Sequence, residues 1–428
     1  MITRDLVIVG GGIAGVICLK YARDAGFDVE LLEQADGVGG LWRKLPAWQD
    51  IQIRRQDWTL GDIPIAGESQ PDIVANIEAW VERYGLARYI RLSAPVRSAA
   101  WRSDGWHVAT DADVTRARCL VAASGGHSRP HVPHVLRSDS RVDEFHSSEL
   151  RDPGLLSGRR IVVVGGGASA YDLLDLCLER GARSVVWIYR SLKWMRPTLS
   201  PKVLGTNMRL LARHQMIRRS TSALNKHLDR DLRARYERFG LQDIVPDESF
   251  DIGRHQLIPG RHRMIRQFDR IERHQAEIVH VAGRRIGLST GSEVEADTIL
   301  WATGYDMDLS YLAVDALRSE TSIERVAARC GSVCRSLDAS NLYIMGPGVL
   351  ETSGSTPWAY AHLAKSIMSD IAGSRALASD AVAKRLNYFD LARHLARADR
   401  RNYPPLLWVL RYLWLAVLHP YERPMPVP

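Results

Sequence analysis

Cysteine is scarce: Cys18, Cys119, Cys177, Cys330 and Cys334 are the only five in 428 residues. An odd, scattered set excludes the paired framework that staples small secreted domains, and a reduced, cytoplasmic protein is the expectation. Cys330 and Cys334 in ARCGSVCRS lack partner histidines or a second cysteine pair, so no metal site is expected. Zinc-finger spacing, an aromatic–glycine RNA signature and a basic recognition helix are also missing, which argues against a nucleic-acid partner. Long apolar runs are lacking too. Leu6 to Leu19 is broken by three consecutive glycines and followed by YARDAGFD, so it reads as strand, turn and helix start rather than an export signal. The tail run at 405–419 is interrupted by Arg411, and a bilayer-spanning helix needs about 20 apolar residues. Two readings of that run stay open. It docks on the protein body, or it lies at the inner face of a membrane with Trp408, Tyr412 and Trp414 as anchors.

The composition that is present is that of an ordinary globular chain, 46% hydrophobic and 25% charged. The length suits two to three domains. A net charge of +8, from 57 basic and 49 acidic residues, favours an anionic partner without naming one.

Two stretches carry the chemistry. In LVIVGGGIAGVICL, a short apolar strand runs into Gly10, Gly12 and Gly15, a G-x-G-x-x-G turn. Gly10 permits the tight turn, Gly12 lets backbone approach a pyrophosphate, and Gly15 lets the helix pack on the strand. The helix that follows, starting near Ala14, offers its first amides to phosphate. The next strand, DVELLE, ends at Glu33, beside Gln34, where a carboxylate can accept from a ribose diol. A second glycine loop, GVGGLW, brings Gly40, Leu41 and Trp42. A nicotinamide domain has no need of that loop, whereas the longer FAD lies extended across a sheet, so the first turn is assigned to FAD.

The second stretch, IVVVGGGASAYDLLDLC, repeats the unit with Gly165, Gly167 and Ala170 as G-x-G-x-x-A, and with Ala168 and Ser169 opening the helix. Its second strand, SVVWIYR, ends not in an acid but in Arg190, with Ser191 beside it. A guanidinium pairs bidentately with a 2′-phosphate that a carboxylate would repel, so NADPH is expected here. Two turns therefore mean two dinucleotides, one delivering hydride and one receiving it.

In order, GGGIAG, Glu33, GVGGLW, GGGASA and WATGY (Trp301 to Tyr305) resemble the flavin-containing monooxygenases, the class B single-component FAD- and NADPH-dependent oxygenases. The resemblance covers most of residues 1–375. It implies that ASGGHSRPHVP carries the chain out of the FAD domain and that ADTILWATGY, with Thr303 and Gly304, brings it back. It further implies that NLYIMGPG, with Gly346, closes the flavin site, and that the Val96 backbone contacts adenine. By the same resemblance, one oxygen atom of O2, the co-substrate, reaches a small molecule through a C4a-(hydro)peroxyflavin.

Departures matter as much. Aligned on His146, the fingerprint F-x-G-x-x-x-H of many such oxygenases has Ser140 for Phe and Val142 for Gly, which tilts the reading away from Baeyer–Villiger chemistry. No asparagine lies between Trp42 and Pro71, where amine- and sulfur-oxidising members carry one against the flavin; Arg54 falls nearest. Arg54 either stabilises a peroxide anion or binds a substrate carboxylate, as the candidate catalytic residue, or it faces solvent or pairs with Asp57.

The expected architecture is α/β, with two Rossmann-like domains, the NADPH domain inserted in a discontinuous FAD domain. Residues 1–150 and 291–375 form the FAD domain and 151–290 the NADPH domain, with a basic, mostly helical insertion at 192–275 and a helical C-terminal extension at 376–428. The insertion reads as a lid over a channel for an anionic or carrier-bound substrate, or as a solvated basic face. The expected activity is N-, S- or aromatic hydroxylation of a small molecule. Alternatives are an NADPH-driven flavin reductase or oxidase without oxygen transfer, and a non-catalytic, membrane-associated redox flavoprotein. A homo-oligomer is left open. A pyridine nucleotide–disulfide reductase is disfavoured, because LWRKLPAWQD after Gly40 carries no cysteine and Cys177 stands alone in the second unit.

Overall fold

Leu6–Val9 and Ile161–Val164 are continuous apolar runs without alternation, the pattern of strands covered on both faces, and all eight residues are buried. Each run is paired in parallel on both sides near the middle of its own sheet in a computed structural model that describes residues 2–51, 60, 63–199, 221–251, 255, 257–345 and 357–373.

The first sheet is built from β1 (Ile2–Val9), β2 (Val29–Leu32), β3 (Ile90–Arg91), β4 (Ser98–Arg102), β5 (Gly105–Ala109) and β6 (Val114–Ala122), in the order β3-β2-β1-β6-β5-β4. β1 pairs in parallel with both β2 and β6, the connection from β1 to β2 being α1 (Ile13–Asp24). α2 (Leu41–Lys44) and α3 (Gln70–Arg83) follow, the latter opened by a Ser69–Asp72 capping box and a proline in its first turn.

Within the second unit, β9 (Asp143–His146), β10 (Arg160–Val164), α4 (Ala168–Glu179), β11 (Ser184–Tyr189), β14 (Ile271–Gln275) and β18 (Thr298–Trp301) give an all-parallel sheet in the order β14-β11-β10-β18-β9. Between β11 and β14 lie the paired β12 (Met195–Arg196) and β13 (Ile258–Pro259), α5 (Thr221–Arg238) and α6 (His262–Arg266). β8 (Leu136–Ser138), β15 (Ile278–Ala282), β16 (Arg285–Leu288) and β17 (Glu293–Glu295) form a third, four-stranded sheet.

The chain then returns through β19 (Tyr305–Asp306), which pairs antiparallel with β7 (Arg129–Pro130). α7 (Asp315–Arg318) and α8 (Ile323–Ala328) lead to β20 (Leu342–Ile344), which joins the C-terminal half of β6. α9 (Pro357–Ile371) packs Leu363, Ala364 and Ile367 into the cluster that holds Val16, Ile17 and Leu19 of α1. Each buried Val, Leu or Ile among these contributes about 1.5–3 kcal/mol of transfer free energy.

The two sheets exchange the chain near 124–131 and 302–306, rather than at 150 and 290. Asp143–His146 and Thr298–Trp301 carry no glycine turn, yet they complete the second sheet, because β18 lies directly beside β10 and β9 covers its open edge. Glu144 on β9 accepts from Trp301 Nε1 at 2.8 Å and from Arg137 at 2.8 and 2.9 Å, and Arg137 holds its carboxyl below the usual range. Likewise Ile271–Gln275 belongs to the sheet and not to the 192–275 excursion, whose residues 200–220 lie outside the described set, as does the extension at 376–428.

Candidate functional site

The first glycine turn is shaped by close approach of backbone. Gly10 has φ +110°, and a Cβ there would stand 2.5 Å from the Ala123 carbonyl oxygen; at Gly15 it would stand 1.9 Å from the Gly10 oxygen. Gly12 differs. A Cβ at Gly12 would meet nothing nearer than Gly40 Cα at 3.7 Å, so its freedom serves no contact within the protein. The second loop docks on the first: Gly39 N donates to Gly11 O at 2.9 Å, and Gly40, at φ +55°, has no room for a Cβ against Gly12 Cα at 2.8 Å. α1 starts with Gly12 as N-cap, without a side-chain cap and without an acid in its first turn. The amides of that turn, Ala14 included, therefore lack an intrahelical partner and face the space above Gly12. This open cradle fits a pyrophosphate.

Glu33 is buried at the end of β2, and its carboxylate accepts from Gly11 N at 2.5 Å and Ala35 N at 2.7 Å. It thus ties the glycine turn to the sheet and keeps a second lone pair on each oxygen for a ribose hydroxyl. Gln34 is exposed beside it, Leu41 and Trp42 are half-buried, and Val96 packs against the cluster containing Val7 and Leu32.

At the second turn the same logic recurs. Gly165 has φ +134° and a Cβ there would stand 2.2 Å from Ala302 O, whereas at Gly167 the nearest atom would be Lys193 Cδ at 3.9 Å. α4 begins at Ala168 and Ser169 with Gly167 as uncapped N-cap and, like α1, no acid in the first turn. Ala170 is fully buried, where a larger side chain would push helix from sheet. Sequence reasoning passed over Gly166: a Cβ there would collide with Ser191 O at 1.9 Å, and its carbonyl accepts from Lys193 N at 2.9 Å. The middle glycine of each GGG triplet was the available signal.

Arg190 stands at the end of β11 with its side chain 82% exposed, on the rim of a cleft of about 410 Å³ that Ser191 and Lys193 also line. Its Nη1 lies 3.5 Å from Glu277.

Between the two turns the crossings meet. Gly304 has φ +87°, and its carbonyl accepts from His131 N at 2.9 Å and His146 Nε2 at 3.0 Å; Thr303 Oγ1 donates to His131 O. His146 is buried, with the Tyr305 ring edge-on at 4.8 Å. A carbonyl only accepts, so Nε2 carries the proton and Nδ1 accepts from Ser148 Oγ at 2.8 Å.

A further tie joins the units where no motif pointed. Arg261 donates to Asp172 on α4 at 2.6 Å and to Asp50 of the first unit at 3.3 Å, while Trp48 Nε1 donates to Leu150 O at 2.6 Å. Arg54 and Gly346 lie outside the described residues.

All five cysteines are buried thiols. Burial pushes Cys18 up to about 12 and Cys119 to about 11, and raises Cys177 and Cys330 as well, so these sulfurs stay protonated and poorly nucleophilic. Among the described residues no group of acids, histidines and cysteines is placed to hold a metal ion, and no helix is long and apolar enough to cross a membrane.

Two Rossmann-type units, each with its own glycine turn, define a two-dinucleotide scaffold. The chain belongs to the pyridine nucleotide-disulphide oxidoreductase family, whose model matches residues 7–229. It is similar to flavin-containing monooxygenase 5 of Rattus norvegicus, 24% identical over 362 residues that cover 76% of this chain and 66%, just under two thirds, of the relative. Two solved structures share the fold. An oxidized steroid monooxygenase bound to NADP is 19% identical, with a TM-score of 0.66 and 99% of both chains covered. OTEMO in complex with FAD and NADP is 16% identical, with a TM-score of 0.64 over 87% of this chain and 84% of that one. The family's name includes disulfide chemistry; the buried thiols here offer no exposed pair to perform it.

Proposed function

We propose that the chain is an FAD- and NADPH-dependent monooxygenase that inserts one oxygen atom from O2 into a small molecule, by N-, S- or aromatic hydroxylation. The observation that carries this is the pair of open glycine cradles whose strand ends bear opposite charge, Glu33 in one and Arg190 in the other. The motif resemblance supports it, as do the flavin and NADP named for the similar proteins.

In this reading FAD supplies the redox centre and the oxygen chemistry, and NADPH supplies the hydride. The protein binds and orients. Gly12 and the first-turn amides of α1 hold the flavin nucleotide's pyrophosphate, while the carboxylate of Glu33 holds its ribose. Gly167 and the α4 amides do the same for NADPH, with Arg190 and Ser191 on the 2′-phosphate. Gly40 and Trp42 would line the flavin side, and the hydrogen bonds at Gly304 hold the crossing between the two units. Arg54 is the proposed contact to the reacting face.

The purified chain should be yellow, and its NADPH consumption should rise with a substrate while the oxygenated product accumulates in step. NADPH oxidation that yields only hydrogen peroxide with amines, sulfides, phenols and ketones alike would overturn the oxygen-transfer reading in favour of an oxidase.

A further inference from the structure

The residue that opposes Arg190 was not part of any motif. β11 and β14 pair in register, Tyr189 against Gln275, so the residues just past each strand leave the sheet side by side. Ala276 N donates to Tyr189 O at 3.0 Å, and Gln275 Nε2 donates to Arg190 O at 3.4 Å. Glu277 is pinned in turn: its N donates to Ser289 Oγ at 3.0 Å and its O accepts from Ser289 N at 2.8 Å. The backbone therefore places the two residues side by side, and the Glu277 carboxylate lies 3.5 Å from Arg190 Nη1, although the side chains are 61% and 82% exposed. The adjoining cleft adds Asp247, Glu248 and Glu324 to its walls, so the site offered to a 2′-phosphate is of mixed sign rather than plainly cationic.

We propose that Glu277 is a specificity-determining residue that limits the preference of this cleft for a 2′-phosphorylated nucleotide over its unphosphorylated counterpart. The proposal rests on the reading of the cleft as the NADPH site. A carboxylate beside the guanidinium competes for one of the nitrogens that a phosphate would use, and repels the phosphate's own charge as it arrives. Both effects act on the 2′-phosphate alone; adenine, ribose and pyrophosphate are held elsewhere. An exposed pair is weak, so the phosphate displaces it, but at reduced gain.

The test is binding of 2′,5′-ADP and of 5′-AMP to the purified full chain by calorimetry, which needs no turnover. Glu277→Gln should tighten 2′,5′-ADP by about three- to tenfold at low salt and leave 5′-AMP unchanged, the size expected for one screened charge at this range. The gain should shrink in the Arg190→Gln background, where there is no guanidinium to release. Equal changes for both ligands, no change for either, or the same gain in both backgrounds overturns the role of Glu277 while leaving the nucleotide site intact. Failure of the unaltered chain to bind either ligand overturns the cleft assignment itself, and the proposal with it.

Discussion

His146 donates through Nε2 to the carbonyl of Gly304 at 3.0 Å, joining the end of β9 to the return segment after β18. Burial holds this imidazole below its ordinary value, and the bond to Gly304 only partly opposes that. The folded state therefore keeps the neutral ring at a pH where the unfolded chain binds a proton. Stability contributed by this neutrality is fully present above about pH 6.5 and is lost progressively as pH falls below it. Urea midpoints measured from pH 7.5 down to 5 should drop more steeply for the unaltered protein than for His146→Gln, whose amide still donates to Gly304. Identical slopes would remove His146 from the account.

Gly12→Ala and Gly167→Ala should fold. Neither Cβ meets an atom closer than 3.7 Å, and both backbones already have negative φ. Unfolding midpoints should shift by less than the equivalent of about 0.5 kcal/mol. Flavin content should fall for the first variant and affinity for NADPH for the second. Gly15→Ala, with its Cβ at 1.9 Å from Gly10 O, should instead lose soluble protein.

Arg190→Ala should weaken NADPH far more than NADH. A hydrogen bond to a charged group contributes about 1.5–3 kcal/mol, which is roughly 10- to 150-fold in affinity. Fluorescence titration of both nucleotides checks it, and a uniform loss would place Arg190 outside the phosphate subsite.

Arg261→Met should be more destabilising than substitution of an exposed arginine. It removes the ion pair to Asp172, whose side chain is only 13% exposed, and cuts the link to Asp50. About 3 kcal/mol is expected from removing one partner of a buried pair, against a negligible shift for Arg97→Ala, whose pair with Asp111 is solvent-exposed. Chemical denaturation of the two variants decides between them.

What could be read from the chain beforehand was local. Gly10, Gly12 and Gly15, or Gly165, Gly167 and Arg190, announce themselves because a turn, a helix start and a strand end are spaced within one βαβ unit. The α/β class followed from the two buried runs. The edge strand Asp143–His146 escaped notice because four residues with mixed polarity have no periodicity to detect, and the extents given to the two domains differed there from the sheets. Arg261 and Glu277 could not be found by spacing at all: each meets its partner only after segments far apart in sequence have packed together. The bond from Gly11 to Glu33 lies between, since both residues were conspicuous while their contact was not.

The antiparallel ribbon of Arg129–Pro130 against Tyr305–Asp306 has a structural corollary. Departure and re-entry of the chain occur at neighbouring points, so the intervening 174 residues between Pro130 and Tyr305 hang from the rest as a loop hangs from a buckle. The bonds from Arg261 to Asp50 and from Trp48 to Leu150 fasten the loop at further points, so the strap is held away from its buckle as well.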